Sequence, residues 1–179
     1  FTFDGTNAAI TGAWLGHYQA IFRANLAIEN IPGIEMHSTL RARLIGECRF
    51  LRAYAYFRLV QWYGDVPLIT TILNDDQYYN QERTSKELVY DFIETDLLAA
   101  IEALPEKDEY ASADLGRATK GAARGILAKL YAVQHDFPKV IEQCDAIINS
   151  GEYSLLPRYA DNFLPRGTYV VGGETIYIG

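Results

Sequence analysis

Residues 46 to 68, GECRFLRAYAYFRLVQWYGDVPL, constrain the fold more than any other stretch, because a long helical period runs through them into a hard stop. Leu44, Cys48, Leu51, Ala55, Leu59 and Trp62 recur at spacings of four, three, four, four and three, the rhythm of one helix face, and the spacing predicts that this face is buried. A second row, Phe50, Tyr54, Phe57 and Gln61, lies roughly 100° round the same cylinder. The expectation is a central helix covered on two sides. Gly64 supplies the C-terminal breaker, and Pro67 forces Val66 into an extended conformation, so the chain leaves sharply as Val66-Pro67-Leu68-Ile69.

The other periodic segments pair off around it. Trp14, Tyr18, Ile21, Asn25, Ile28 and Ile31 predict a helix near 11–31, capped at Thr11 and closed by Pro32-Gly33. Asn25 interrupts an apolar face, so its amide must tie the helix to a neighbour or a loop. Ser38 or Thr39 caps the central helix, near 38–63. Val89, Ile93, Leu97, Ala100 and Leu104 mark a helix near 86–104 that Pro105 stops. Near 117–135 the stripe is Ala122, Ile126, Leu130 and Val133, and small residues such as Gly121, Ala123, Gly125 and Ala128 let a neighbouring helix approach. Asp136 caps a last helix near 138–150, with Pro138 in its first turn and Val140, Cys144 and Ile147 inside. The junction His135-Asp136-Phe137-x-x-Val140-Ile141 looks like a tetratricopeptide repeat boundary, and unevenly spaced helix pairs predict an all-α, tetratricopeptide-like helical-hairpin solenoid. Long loops and a short β-like stretch from Thr168 to Ile178, interrupted by Gly172-Gly173, complete a single domain over 1–179.

The pattern Gly46-Glu47-x-Arg49-Phe50-Leu51-Arg52-Ala53-x-x-Tyr56-Phe57-x-Leu59-x-x-x-Tyr63-Gly64-Asp65-Val66-Pro67-Leu68 closely resembles the signature of the SusD/RagB family, glycan-binding outer-membrane lipoproteins of Bacteroidetes. Upstream, Tyr18-x-x-Ile21-x-Arg23-Ala24-Asn25 fits the same pattern. Downstream, Ile148-x-Ser150-Gly151-x-Tyr153-x-Leu155, then Tyr159-x-x-x-Phe163, then Glu174-x-Ile176-Tyr177 extend it to nearly the whole chain, which would form the N-terminal part of a family member. The resemblance implies a non-catalytic protein at the cell outer membrane that captures an oligosaccharide or polysaccharide and delivers it to a TonB-dependent outer-membrane transporter. It implies membrane attachment only through a lipid anchor absent from this chain.

Composition narrows the alternatives. A net charge of −7 without a basic run among aromatics disfavours nucleic acid and anionic membrane surfaces. No run of about 18 apolar residues predicts a membrane-spanning helix. Cys48 and Cys144 fall on inner faces of separate helices and read as small core residues. His17, His37 and His135 stand in different elements, with no HExxH, GxSxG, P-loop or Cys–His signature, so neither an enzyme nor a cofactor is expected. Glu47 needs a cation, with Arg23 or Arg117 as partner, unless it only meets water at the bundle edge or serves as an acid catalyst. The polar loop 70–84 lacks periodicity. Its oxygen-rich run suits calcium but lacks the alternating acids and central glycine of a calcium loop.

Phe1, Phe3, Trp14, Tyr78 and Tyr79 are the candidates for stacking on a sugar. Trp14 also fits core spacing, and Tyr78 and Tyr79 fit equally as anchors that fold their loop onto the body. A helical protein–protein scaffold without sugar binding is the competing function.

Overall fold

Four long amphipathic segments and one shorter one do form helices, and they stack in series. The computed structural model describes residues 8–156 and 158–159, together with the backbone of 168–171 and 174–177. The elements are α1 (Ala8–Asn30), α2 (Ser38–Tyr63), α3 (Asp75–Tyr78), α4 (Lys86–Ala103), α5 (Lys120–Val133), α6 (Phe137–Asn149), β1 (Thr168–Val171) and β2 (Glu174–Tyr177). Helix α2 packs against both α1 and α4, α4 packs on α5, and α5 on α6, which is the serial hairpin arrangement of an α-solenoid. The β-like stretch folds into an antiparallel hairpin, Thr168 opposite Tyr177 and Val171 opposite Glu174; the expected interruption at Gly172-Gly173 lies outside the described residues.

Helix α4 buries the stripe its spacing predicts: Val89, Ile93, Leu97, Ala100 and Leu104 are all inaccessible or nearly so. Helix α2 is central and buries Ala55, Phe57 and Leu59 of the two expected rows, but the remainder of its buried face is turned from the expected one. Leu51 and Trp62 are 53% and 51% exposed, and Tyr54 and Gln61 are also exposed, whereas Arg52, Ala53, Tyr56 and Val60 are buried. A reading by apolar residues discounts Arg52 and Tyr56. Both belong to the core because their polar ends find buried partners. On α5 the buried stripe is Ala123, Leu127, Leu130 and Tyr131, while Ala122 and Val133 are exposed.

The helix ends correct several caps. Helix α1 starts at Ala8, so Thr11 lies inside it. Helix α2 is capped by His37, whose Nδ1 accepts from the Thr39 amide at 3.3 Å, rather than by Ser38 or Thr39. Gly64 does close α2, at φ 68°, a conformation that costs glycine little. Thr119 and Asp136 cap α5 and α6 through side-chain oxygens.

Two glycines mark close approaches. A methyl group at Gly46 would stand 2.8 Å from Cβ of Ala103, so this signature residue lets α2 and α4 meet. Gly46→Leu is expected to destabilise the chain by about 1–3 kcal/mol through overpacking, read by urea denaturation; an unchanged midpoint would mean that the helices do not touch there. At Gly121 the neighbour is the Tyr153 ring rather than a helix. Tyr153 folds back so that its hydroxyl meets Thr119 Oγ1 at 2.8 Å.

Candidate functional site

Beyond a single bridge the segment after α2 joins no strand among the described residues, so its backbone groups need partners elsewhere. One end is bridged, Val66 to Thr84. The rest is strapped by side chains of α1 and α2. Tyr18 donates to the Pro67 carbonyl at 2.8 Å. The Tyr56 hydroxyl donates to the Ile69 carbonyl at 2.8 Å and accepts from the Ile69 amide at 2.7 Å, clamping that residue from both sides. Asn25 Nδ2 donates to the carbonyls of Ile69 and Thr71 at 3.1 and 3.2 Å, the helix-to-loop tie that its place on an apolar face predicts.

Beneath these straps lies a buried ion pair. Arg52 grips Asp96 of α4 with two bonds, at 2.7 and 2.8 Å, and its third nitrogen donates to Asn25 Oδ1 at 2.7 Å and to the Thr70 carbonyl at 3.1 Å. The guanidinium lies over the Phe92 ring, 4.8 Å from its centroid. Because Asn25 accepts from Arg52 through its oxygen, its NH₂ is left facing the loop carbonyls. One ion pair therefore fixes three helices and the strapped segment relative to each other.

The strapped segment and α1 form the walls of a cleft of about 240 Å³. Trp14, Tyr18, Phe22, Ile69 and Leu73 line it, and Tyr78 stands at its mouth. Helix α3, a turn within the polar stretch 70–84 that has no periodicity, carries Tyr78 there. Its single turn is held by a reciprocal capping box, Asn74 Oδ1 accepting from the Gln77 amide and Gln77 Oε1 accepting from the Asn74 amide, both at 3.1 Å. Trp14 is half-buried, tilted against Tyr18 at 4.8 Å and edge-on to Tyr63 at 5.0 Å between ring centroids.

Of the five candidate residues, the structure brings Trp14 and Tyr78 to one cleft. Tyr79 is 89% exposed and stands outside the lining, while Tyr78 is 65% exposed, so neither ring anchors the loop to the body. Phe1 and Phe3 lie outside the described residues. Sequence reasoning missed Tyr18, Phe22 and Asn25 as cleft residues, since spacing assigns them only to a helix.

Burial pushes the Tyr18 and Tyr56 phenols well above the ordinary tyrosine range, and at Tyr18 the neighbouring Tyr56 adds to the effect. A raised folded-state value gives stability that is complete below the unfolded value of about 10 and declines as pH rises beyond it. The unfolding free energy is therefore expected to fall above about pH 10, with a shallower fall in the Tyr18→Phe/Tyr56→Phe variant; urea denaturation across that range checks it.

Elsewhere, Glu47 pairs with Arg117 at 2.8 Å and Arg43 at 3.6 Å, one of the two cations expected, while Arg23 stays on the surface. Asp114 joins the cluster. Hydrogen bonds from Arg117 and then Arg43 hold its carboxyl below the usual range. Cys48 and Cys144 are free and only half-buried, and burial raises the Cys48 thiol. Among the described residues no group of three or more His, Cys, Asp or Glu is placed to hold a metal ion. A wider groove, about 580 Å³, runs between α1 and α2 past Ala13, Gly16, Ala20, Leu51 and Tyr54. It contains none of the candidate residues.

Comparison with known proteins places these features. The profile of a SusD-like family, described as starch-binding and associating with the outer membrane, matches residues 2–132. A SusD-like protein of Bacteroides ovatus is 36% identical over 136 residues, 73% of this chain and 24% of the relative. The starch-binding protein SusD of Bacteroides thetaiotaomicron is 31% identical over 150 residues, 80% of this chain and 25% of the relative. Among solved structures, a laminarin-binding SusD-like protein superposes with a TM-score of 0.81 at 29% identity, over 92% of this chain and 36% of its own. The chain thus spans roughly a quarter to a third of the length of these relatives.

Proposed function

Because the chain belongs to the SusD-like family of starch-binding, outer-membrane-associated proteins, we propose that it captures an oligosaccharide in the cleft between α1 and the strapped segment 66–73. The convergence of Trp14 and Tyr78 on one preformed cleft carries this reading. A pyranose ring presents flat patches of C–H groups, which pack on the electron-rich faces of aromatic rings. Such a site must exist before the sugar arrives, and the Arg52, Asn25 and Tyr56 straps hold it open without ligand. The cleft binds rather than cleaves. Glycoside hydrolysis uses a pair of carboxylates, and no acid lines this cleft.

The remaining steps follow from family membership and belong to the same proposal. The chain supplies the N-terminal helical part of a longer cell-surface lipoprotein, which passes its glycan to a TonB-dependent outer-membrane transporter. One observation favours a second reading, a helical scaffold that grips another protein: Leu51, Tyr54 and Trp62 present half-exposed apolar surface on α2.

Native gels containing laminarin or starch test the first reading. The chain is expected to be retarded, Tyr78→Ala to run freely with an unchanged melting temperature, and Tyr79→Ala to behave as the parent. Retardation untouched by Tyr78→Ala removes the cleft from the account. Loss of a co-purifying β-barrel protein on Leu51→Ser/Trp62→Ser, with retardation intact, assigns the α2 surface to the partner instead.

A further inference from the structure

We propose that the cleft accepts a single neutral sugar unit and excludes anionic glycans; the inference rests on the capture reading above and names its ligand class. Three observations carry it. The first is size. A cavity of about 240 Å³ falls below the roughly 300–1,000 Å³ of pockets that enclose drug-sized ligands, so it holds about one ring, and the rest of a chain leaves through the mouth past Tyr78.

The second is the inventory of polar groups. None of the lining residues carries a charge. The polar atoms deepest in the cleft are already committed: Tyr18 donates to Pro67, and both ends of the Asn25 amide are occupied by Arg52, Ile69 and Thr71. The Trp14 indole N–H and the hydroxyls of Thr71 and Tyr78 make no hydrogen bond to the described residues, and Gln81, also in the lining, donates from its amide to the Gln77 carbonyl at 2.8 Å. These neutral groups suffice for a few sugar hydroxyls. With no cation among the lining residues, they compensate the desolvation of a carboxylate or sulfate poorly.

The third is the charge at the mouth. The loop that carries Tyr78 holds Asp75, Asp76 and Glu82, all exposed, and Glu29 of α1 accepts from the Ile72 amide beside it. Against these stands Arg83, whose guanidinium donates to the Asp65 carbonyl at 2.9 Å and which is outside the lining, though its charge reaches the Tyr18 phenol. These exposed acids outnumber the cation of the same loop, and their effect on an approaching anion falls off over the Debye length, about 8 Å at physiological salt. The net −7 of the chain works in the same direction.

Calorimetric titration of the 179-residue chain with neutral laminari- and malto-oligosaccharides, and with oligogalacturonate and sulfated carrageenan oligosaccharides, at low and high salt, tests the inference. At least one neutral probe is expected to bind with an affinity that salt changes by less than about two-fold, and the anionic probes to bind at least about ten-fold more weakly. Asp75→Asn/Asp76→Asn is expected to strengthen the anionic probes about three-fold at low salt and to leave the neutral ones unchanged. An anionic probe that binds more tightly than every neutral one, and is lost in Tyr78→Ala, overturns the ligand class while the capture reading stands. Silence from both classes overturns the two together.

Discussion

Asp96→Ala is expected to lower the unfolding free energy by about 3–5 kcal/mol. The residue is not large, and its removal opens little space. What it leaves behind is the Arg52 guanidinium, buried between α2 and α4 and deprived of two charge-assisted bonds. The cost is the uncompensated charge rather than the net worth of the pair, so replacing both partners with apolar residues, Arg52→Met/Asp96→Leu, is expected to recover much of the loss. Glycan binding should not recover with it. The double variant still lacks the donor that orients Asn25, and so the hold on the carbonyls of Ile69 and Thr71. Urea denaturation combined with affinity electrophoresis separates the two effects. A double variant that is both stable and fully competent in binding would show that the network serves stability alone.

Trp14→Ala is expected to weaken binding and stability together. Burying one aromatic ring against a ligand contributes about 1.5–3 kcal/mol, so affinity should fall by roughly 10- to 100-fold. Unlike Tyr78, Trp14 also packs on Tyr18 and Tyr63, and its removal should lower the melting temperature as well. Trp14→Phe keeps an aromatic face and most of that packing. It should therefore retain most of both properties, whereas a purely structural role predicts that binding tracks stability across Ala, Leu and Phe alike.

How far the sequence carries depends on which residues do the work. The α4 stripe was legible because Val89, Ile93, Leu97, Ala100 and Leu104 are apolar and buried for that reason alone. The face of α2 was legible only at Ala55, Phe57 and Leu59, because its centre is Arg52 and Tyr56, and only their distant partners Asp96, Asn25 and Ile69 make them core residues. Asn25 was legible as a tie, though its partner on the loop was not. Helix α3 has only four residues, too few to show an apolar period; its one sequence signal is the Asn74-x-x-Gln77 capping box. The same limit applies to the cleft. Trp14 and Tyr78 were both candidates, but that they face one cavity while the adjacent Tyr79 does not depends on where α3 is strapped, a property of long-range hydrogen bonds that no local pattern encodes.

The claim that a sugar sits against Trp14 can be read from the tryptophan itself. The chain has two tryptophans, and Trp62 lies on the exposed face of α2, outside the cleft lining. In a Trp62→Phe variant the fluorescence reports Trp14 alone. Titration with a neutral oligosaccharide that retards the chain in gels should give a saturable change in emission with the same midpoint as calorimetry, and Tyr78→Ala should abolish it. Calorimetric binding that leaves the Trp14 emission unmoved would contradict the account.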